Sequence, residues 1–274
     1  MIDTILQDFI DREVQSKRVA LLLSGGVDSI SLGIAAQKLG KKVSAYTFHL
    51  DGEPSYDSDT AQHVAETFGW DINVTIVPKT NLKEDFFTLL KKYKCKKKTQ
   101  FECTHFGLYL YPKIKEKYVM SGIAADGWYG VSKKARINFI QTKEKFDSFR
   151  DRYFGAENPA GILQQQMLSE NYNKIFVAPY VGKHVENFFM QYSWEELHQN
   201  KTEKYHVRTC YKNEFDKLNK IKTHLNLQLV SKTNIFFENL LKDKEINFKN
   251  RIRVMDICKD WSLLNTNTLE EFIN

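Results

Sequence analysis

Ser24-Gly25-Gly26-Val27-Asp28-Ser29 gathers two hydroxyls, two adjacent glycines and one carboxylate into a short string. Adjacent glycines reach backbone conformations closed to other residues and can turn successive N–H groups toward one point. The apolar run Val19-Ala20-Leu21-Leu22-Leu23 precedes the string, and helical spacing resumes from Ile30 to Leu39. The free N–H groups and positive dipole end of that helix would face the same point. The chemistry implied is the cradling of a polyanion such as pyrophosphate. Asp28 would repel phosphates unless a divalent cation such as Mg2+ bridged the two. A plain serine–glycine turn with Asp28 as a helix cap would use the same residues; the strand–turn–helix setting favours the anion site. The Gly-x-x-x-x-Gly-Lys-[Ser/Thr] pattern of kinase-type P-loops is absent from the sequence.

The elements that must position this loop follow from periodicity. Apolar residues at Ile2, Ile5, Leu6, Phe9, Ile10 and Val14 predict a first helix. Val43 to Phe48 reads as a strand, Thr60 to Phe68 as a helix stopped by Gly69, and Ile72 to Val77 as a strand closed by Pro78. Two long helices are predicted near Leu82 to Tyr93 and Thr99 to Lys117, then a short strand at Tyr118-Val119-Met120. Alternating strands and helices predict an α/β fold, a doubly wound, mainly parallel sheet. Beyond about Asn138 the chain turns helical, apart from at most a brief strand at Ile175-Phe176-Val177-Ala178, and Ser193-Trp194-Glu195-Glu196 has the form of a capping box. The expected organisation is a core over residues 1–140 and a mostly helical part over 141–274 that packs on it and completes the substrate site.

Composition fits this plan. With 274 residues, 42% hydrophobic and 27% charged, the chain can bury a large core without a metal or disulfide staple. No apolar stretch approaches the ~20 residues of a membrane span, and the acidic start Met1-Ile2-Asp3 does not resemble a secretion signal. Cys95, Cys103, Cys210 and Cys258 form no Cys-x-x-Cys pair, which suits free thiols in a reducing cytoplasm. The net charge of +6 owes much to Lys91, Lys92, Lys94, Lys96, Lys97 and Lys98, read as a solvated segment before a nucleic-acid contact.

The string Ser24 to Ser29 resembles the PP-loop of the ATP pyrophosphatase superfamily, whose members split ATP into AMP and pyrophosphate to adenylate a substrate. A second segment, Ser121-Gly122-Ile123-Ala124-Ala125-Asp126-Gly127-Trp128-Tyr129-Gly130, resembles the Ser-Gly-x-Gly-x-Asp-Glu loop of asparagine-synthetase-like enzymes. Phe48 through Gly69, with Asp57 and the helix after it, has that family's look as well. The resemblance implies an adenine nucleotide alpha hydrolase-like fold. It implies that Ser24, Gly25, Gly26, Asp28 and Ser29 hold ATP phosphates, that Asp28 and Asp126 share Mg2+, and that Asp126 serves catalysis. Thr47 and Phe48 would contact adenine through backbone, and Ser121 and Gly122 would flank the nucleotide. Lys232, in Ser231-Lys232-Thr233-Asn234-Ile235-Phe236, resembles the lysine that steadies the adenylate and the leaving phosphate.

Three departures bear on the chemistry. The family glycine before the acidic pair is Ala124, the glutamate after Asp126 is Gly127, and Ile123 stands where relatives place a glutamate or tyrosine important in amidation. Isoleucine cannot move a proton, so Glu102, His105 and Tyr129 become candidates by nearness in sequence. The sequence opens Met1-Ile2 and enters the synthetase-like core almost at once, so the cysteine-led glutaminase domain of glutamine-dependent enzymes is not expected here. The expected reaction is therefore ATP-dependent amide formation from a small carboxylate and ammonia or an amine, with a separate glutaminase as a conceivable partner. A PP-loop enzyme that modifies tRNA or DNA is the alternative, and a non-catalytic nucleotide-binding module the second.

Overall fold

Strand alternation decides the layering. In a strand, successive side chains leave on opposite faces, and here both faces are apolar, as in a parallel sheet covered on each side. A computed structural model of the chain describes residues 1–95, 98–155, 161–199, 202–218 and 227–236; Lys96, Lys97 and Cys258 lie outside them. The strands are β1 (Arg18–Leu22), β2 (Lys42–Leu50), β3 (Asp71–Val77), β4 (Tyr118–Ser121) and β5 (Ile175–Val177). They form one sheet in the order β3-β2-β1-β4-β5, all parallel.

The first helices are α1 (Ile2–Glu13), α2 (Val27–Lys38) and α3 (Tyr56–Phe68). With them Val19 and Leu21 of β1, Val43 and Ala45 of β2, and Met120 of β4 build one core. Ala20, Tyr46, Phe48 and Val119 point the other way. They meet α4 (Leu82–Lys91), α5 (Lys98–Thr104), α6 (Gly107–Leu110) and the 3-10 turn Tyr111–Lys113. Two helices begin earlier than periodicity predicts. α2 starts at Val27, directly on the glycine turn, and α3 at Tyr56, because the Ser55 hydroxyl accepts from the Ser58 N–H at 3.1 Å and caps it.

The single helix predicted from Thr99 to Lys117 is instead broken into α5, α6 and the 3-10 turn. At Gly107 an added Cβ would stand 2.5 Å from Leu168, so the chain needs a glycine where the second layer crosses it. Pro112 then removes a backbone donor and starts the 3-10 turn.

After β4 come α7 (Ala125–Tyr129), α8 (Lys133–Asn138), α9 (Lys143–Gly155) and α10 (Ile162–Asn171). β5 pairs with β4 in register Tyr118↔Ile175, so the region beyond residue 140 supplies a strand to the sheet as well as helices. The chain continues through α11 (Lys183–Phe189), α12 (Trp194–Leu197), α13 (Tyr205–Cys210), α14 (Lys212–Phe215) and α15 (Leu227–Val230). The capping box forms: the Glu196 N–H donates to Ser193 Oγ at 3.3 Å, and the Ser193 N–H to Glu196 Oε2 at 2.7 Å. Arg150, fully buried, ties α9 to the end of α11 by donating to the carbonyls of Phe189 (2.8 Å) and Tyr192 (3.1 Å). No helix among the described residues is long and apolar enough to cross a membrane.

Candidate functional site

In this strand order the chain leaves β1 toward β2 on one side, while β4 enters on the other, which opens a crevice beyond the C-terminal ends of β1 and β4. The loop Ser24 to Ser29 stands at that point. Gly25 has φ +71°, and a Cβ there would meet the Thr60 side chain at 2.5 Å, so only glycine allows both the turn and the close packing of α3. Gly26 is the N-cap of α2 and carries no side-chain cap, leaving the N–H groups of the first turn without a side-chain cap partner. Ser29 Oγ donates to the Gly26 carbonyl at 3.0 Å and lies 3.4 Å from Ser24 Oγ. Both serine hydroxyls therefore brace the loop as well as facing the crevice.

The β4 loop presses on this turn. A Cβ on Gly122 would lie 3.0 Å from the backbone of Asp28 and Ser29. Ala124 then takes φ +72°, a left-handed conformation that disfavours any side chain, which gives a physical reason for the family glycine at this place. Gly127 has an equally specific cause. A Cβ there would come within 2.3 Å of the Tyr153 ring and 3.0 Å of Phe154. α9 thus occupies the space a glutamate side chain would need, and the Trp128–Phe154 stack, with centroids 3.8 Å apart, holds it there.

These elements border a cavity of about 560 Å³. Ser24, Gly26, Asp28, Ser29, Thr47, Phe48, Ser121 and Gly122 all line it, together with Ile123 and Asp126. Thr47 and Phe48 reach it because β2 runs on past Tyr46, the partner of the last residue of β1. The far wall comes from later in the chain: Tyr153 of α9, Gln165 of α10, Lys204 at the N-cap of α13 and Arg208 in its last turn.

Lys204 is the centre of the site's electrostatics. Its Nζ bonds both an Asp28 carboxylate oxygen and Asp126 Oδ1, the latter at 2.6 Å, with only 7% of its side chain exposed. Burial by itself would lower its pKa; the charges of Asp126 and Asp28 outweigh that and hold the ammonium form well above its ordinary range. The Tyr129 ring, with its centroid 5.8 Å from Nζ, backs the ammonium. Behind Asp28, Ser31 Oγ donates to the Asp28 carbonyl and meets the Tyr180 hydroxyl, both at 2.8 Å.

Sequence reasoning pointed to Lys232 for the cationic role. Its Nζ instead bonds Glu53 Oε2 at 2.5 Å, half exposed, and it does not line the cavity, although its neighbour Ser231 does. Lys204 and Arg208 escaped notice for want of a motif. Of the three acid–base candidates, Tyr129 is buried beside Lys204, His105 Nε2 pairs with Asp85 Oδ2 at 2.8 Å in the second core, and Glu102 is buried. None of the three lines the cavity.

A turn of this shape with carboxylates from two strand ends invites comparison with known proteins. The sequence model described as asparagine synthase matches residues 1–175. The chain belongs to the asparagine synthase family. A probable tRNA sulfurtransferase of Listeria welshimeri is 37% identical to this family member over 76 residues, 25% of the present chain. The chain spans 18% of the length of that curated relative. Among solved structures, a predicted subunit of a tRNA methyltransferase from Methanocaldococcus jannaschii aligns over 75% of this chain and 93% of its own at TM-score 0.35 and 14% identity. An NMN synthetase from Francisella tularensis aligns over 82% and 97% at TM-score 0.36 and 14% identity.

Proposed function

We propose that this member of the asparagine synthase family is an ATP-using enzyme that adenylates a carboxylate, releases pyrophosphate and forms an amide with ammonia or an amine. The observation that carries the reading is the convergence of a glycine turn and side-chain-uncapped α2 N-terminus with Asp28, Asp126 and Lys204 at one cavity. The N–H groups of the turn and of the first turn of α2 would hold the phosphates. Lys204 and Arg208 would offset the charge that develops as the α-phosphorus is attacked and pyrophosphate departs. Thr47 and Phe48 on the one side, and Ser121 and Gly122 on the other, would frame the nucleoside. Tyr153, Gln165 and Ile123 would border the acyl substrate.

Asp28 and Asp126 suit Mg2+ by donor chemistry: two hard carboxylates from different elements already share one cation, and Mg2+ is commonly held by one or two carboxylates plus substrate phosphates. When bound, Mg2+ would supply positive charge to the phosphate oxygens. The nitrogen nucleophile would then displace AMP from the acyl group. With Ile123 unable to take a proton, the reading suits a nucleophile that arrives as the free amine.

The test is to incubate the protein with Mg2+, ATP and pools of carboxylic acids, amines and nucleic acids, following AMP and pyrophosphate. Equal release of both with an acid and an amine is expected. Formation of ADP instead sinks the reading. A tRNA-modifying enzyme is the second reading, favoured by the matched stretch of the sulfurtransferase relative; turnover that requires RNA and vanishes with added salt would select it.

A further inference from the structure

Lys204 sits where a metal ion would have to sit. Its ammonium bridges one carboxylate from the start of α2 and one from the start of α7, and the loop leading into α7 packs on α2 so closely that a Cβ on Gly122 would lie 3.0 Å from the Asp28 backbone. An ammonium and a divalent ion held between the same two carboxylates compete, because like charges at such separations repel each other strongly. The lysine is not there by slack. It is buried, its charge faces the Tyr129 ring, and its own backbone takes φ +59° at the N-cap of α13, a conformation a side chain resists. The backbone there is fixed by contacts of its own, the Arg208 N–H donating to the Lys204 carbonyl at 3.1 Å and Arg208 Nε to the Glu203 carbonyl at 2.9 Å, which holds the ammonium toward the two carboxylates.

We infer that Lys204 is an internal stand-in for the divalent cation, closing the Asp28–Asp126 pair until a nucleotide's phosphates draw the ammonium off and free the carboxylates for metal. The inference rests on the reading of Asp28 and Asp126 as metal partners, and it adds an order of events. The free protein does not take up the metal; metal and triphosphate enter together, since the triphosphate is the new acceptor for Nζ. The nucleotide-free site thereby keeps one positive charge against two negative ones. The α2 N-terminus then remains attractive to an incoming polyanion.

Mn2+ serves as the probe, read by its electron paramagnetic resonance signal on the full chain. Wild type should show no specific Mn2+ uptake without nucleotide. Lys204→Met, which keeps the stem but removes the charge, should bind Mn2+ alone at least about tenfold more tightly than wild type, and its melting temperature should rise with Mn2+ while that of wild type does not. Wild type binding Mn2+ alone as tightly as the variant overturns the inference, as does a folded variant that gains no affinity. If Lys204→Met fails to fold, wild type decides: uptake only when ATP is added supports the inference, and uptake without ATP overturns it. Failure of wild type to bind Mn2+ even with ATP removes the underlying metal assignment, a result distinct from either outcome for the lysine.

Discussion

Two lysines of this chain share an unusual backbone and a common partner chemistry. Lys204 has φ +59° and Lys232 φ +60°, and each ammonium bonds carboxylate. Lys204 is buried between two acids in the wall of the cavity, whereas Lys232 meets Glu53 with half its side chain in water. In water the attraction between such charges is screened and offset by side-chain entropy, so an exposed pair contributes little. In a buried site the same attraction is strong, and loss of one partner leaves charge without compensation. A lysine beside an acid is therefore not a unit of function; its depth in the molecule decides what it can do.

The comparison is broken or sharpened first by removing each charge. Lys204→Met should lower pyrophosphate release by at least about 100-fold, the scale for loss of a preorganised electrostatic contact. It should also cost about 3 kcal/mol of stability in urea unfolding, the low end for a buried pair because Asp126 is 43% exposed. Lys232→Met should leave both measurements unchanged, and equal losses at the two positions would abolish the distinction. Next in size is Gly127→Ala, which pushes a methyl into Tyr153 and Phe154 and should cost about 1–3 kcal/mol by overpacking. It should disturb Asp126 and the buried pair while leaving Lys232 and Glu53 as they are, which chemical-shift mapping can show.

A smaller effect is expected from Ala124→Gly. It relieves the left-handed strain beside Asp126 and should raise stability by about 1 kcal/mol, measured by the unfolding midpoint, without loss of ATP turnover. The smallest concerns Glu53, whose carboxyl Lys232 holds below the ordinary value by hydrogen bond and charge. A carboxyl lowered in the folded state adds stability above its unfolded pKa and loses it as pH falls through the folded one. The Glu53 titration followed by NMR should thus lie below that of a free glutamate and return toward it at high salt. A salt-independent titration would mean that the pair is shielded after all.

How much of this could be read before the fold was known differs by element. Val19 to Leu23, Val43 to Phe48 and Tyr118 to Met120 stand out because strands covered on both faces are runs of apolar residues, and the loop between Leu23 and Ile30 declares itself by two glycines beside serines. Asp28 stood out as the one carboxylate in the glycine loop and Asp126 through the family resemblance of the loop after β4, and the two do converge. The break at Gly107 was hidden because the reason for it, Leu168, lies 61 positions away and on another helix. Lys204 was hidden for the same kind of reason. It lies 176 positions from Asp28, in a polar stretch with no periodicity, and only the fold brings it to the two carboxylates.

Tyr180 reaches back from just beyond β5 to Ser31, and through it to the carbonyl of Asp28, while its own carbonyl accepts from Trp128 Nε1 at 2.7 Å. The shape of the glycine turn is thus enforced from a place far along the chain. A gene fragment ending at residue 140 would encode every residue of the turn and neither the tyrosine that braces it nor the lysine that balances it. The turn and its braces thus depend on contacts between residues 149 and 176 positions apart in the chain.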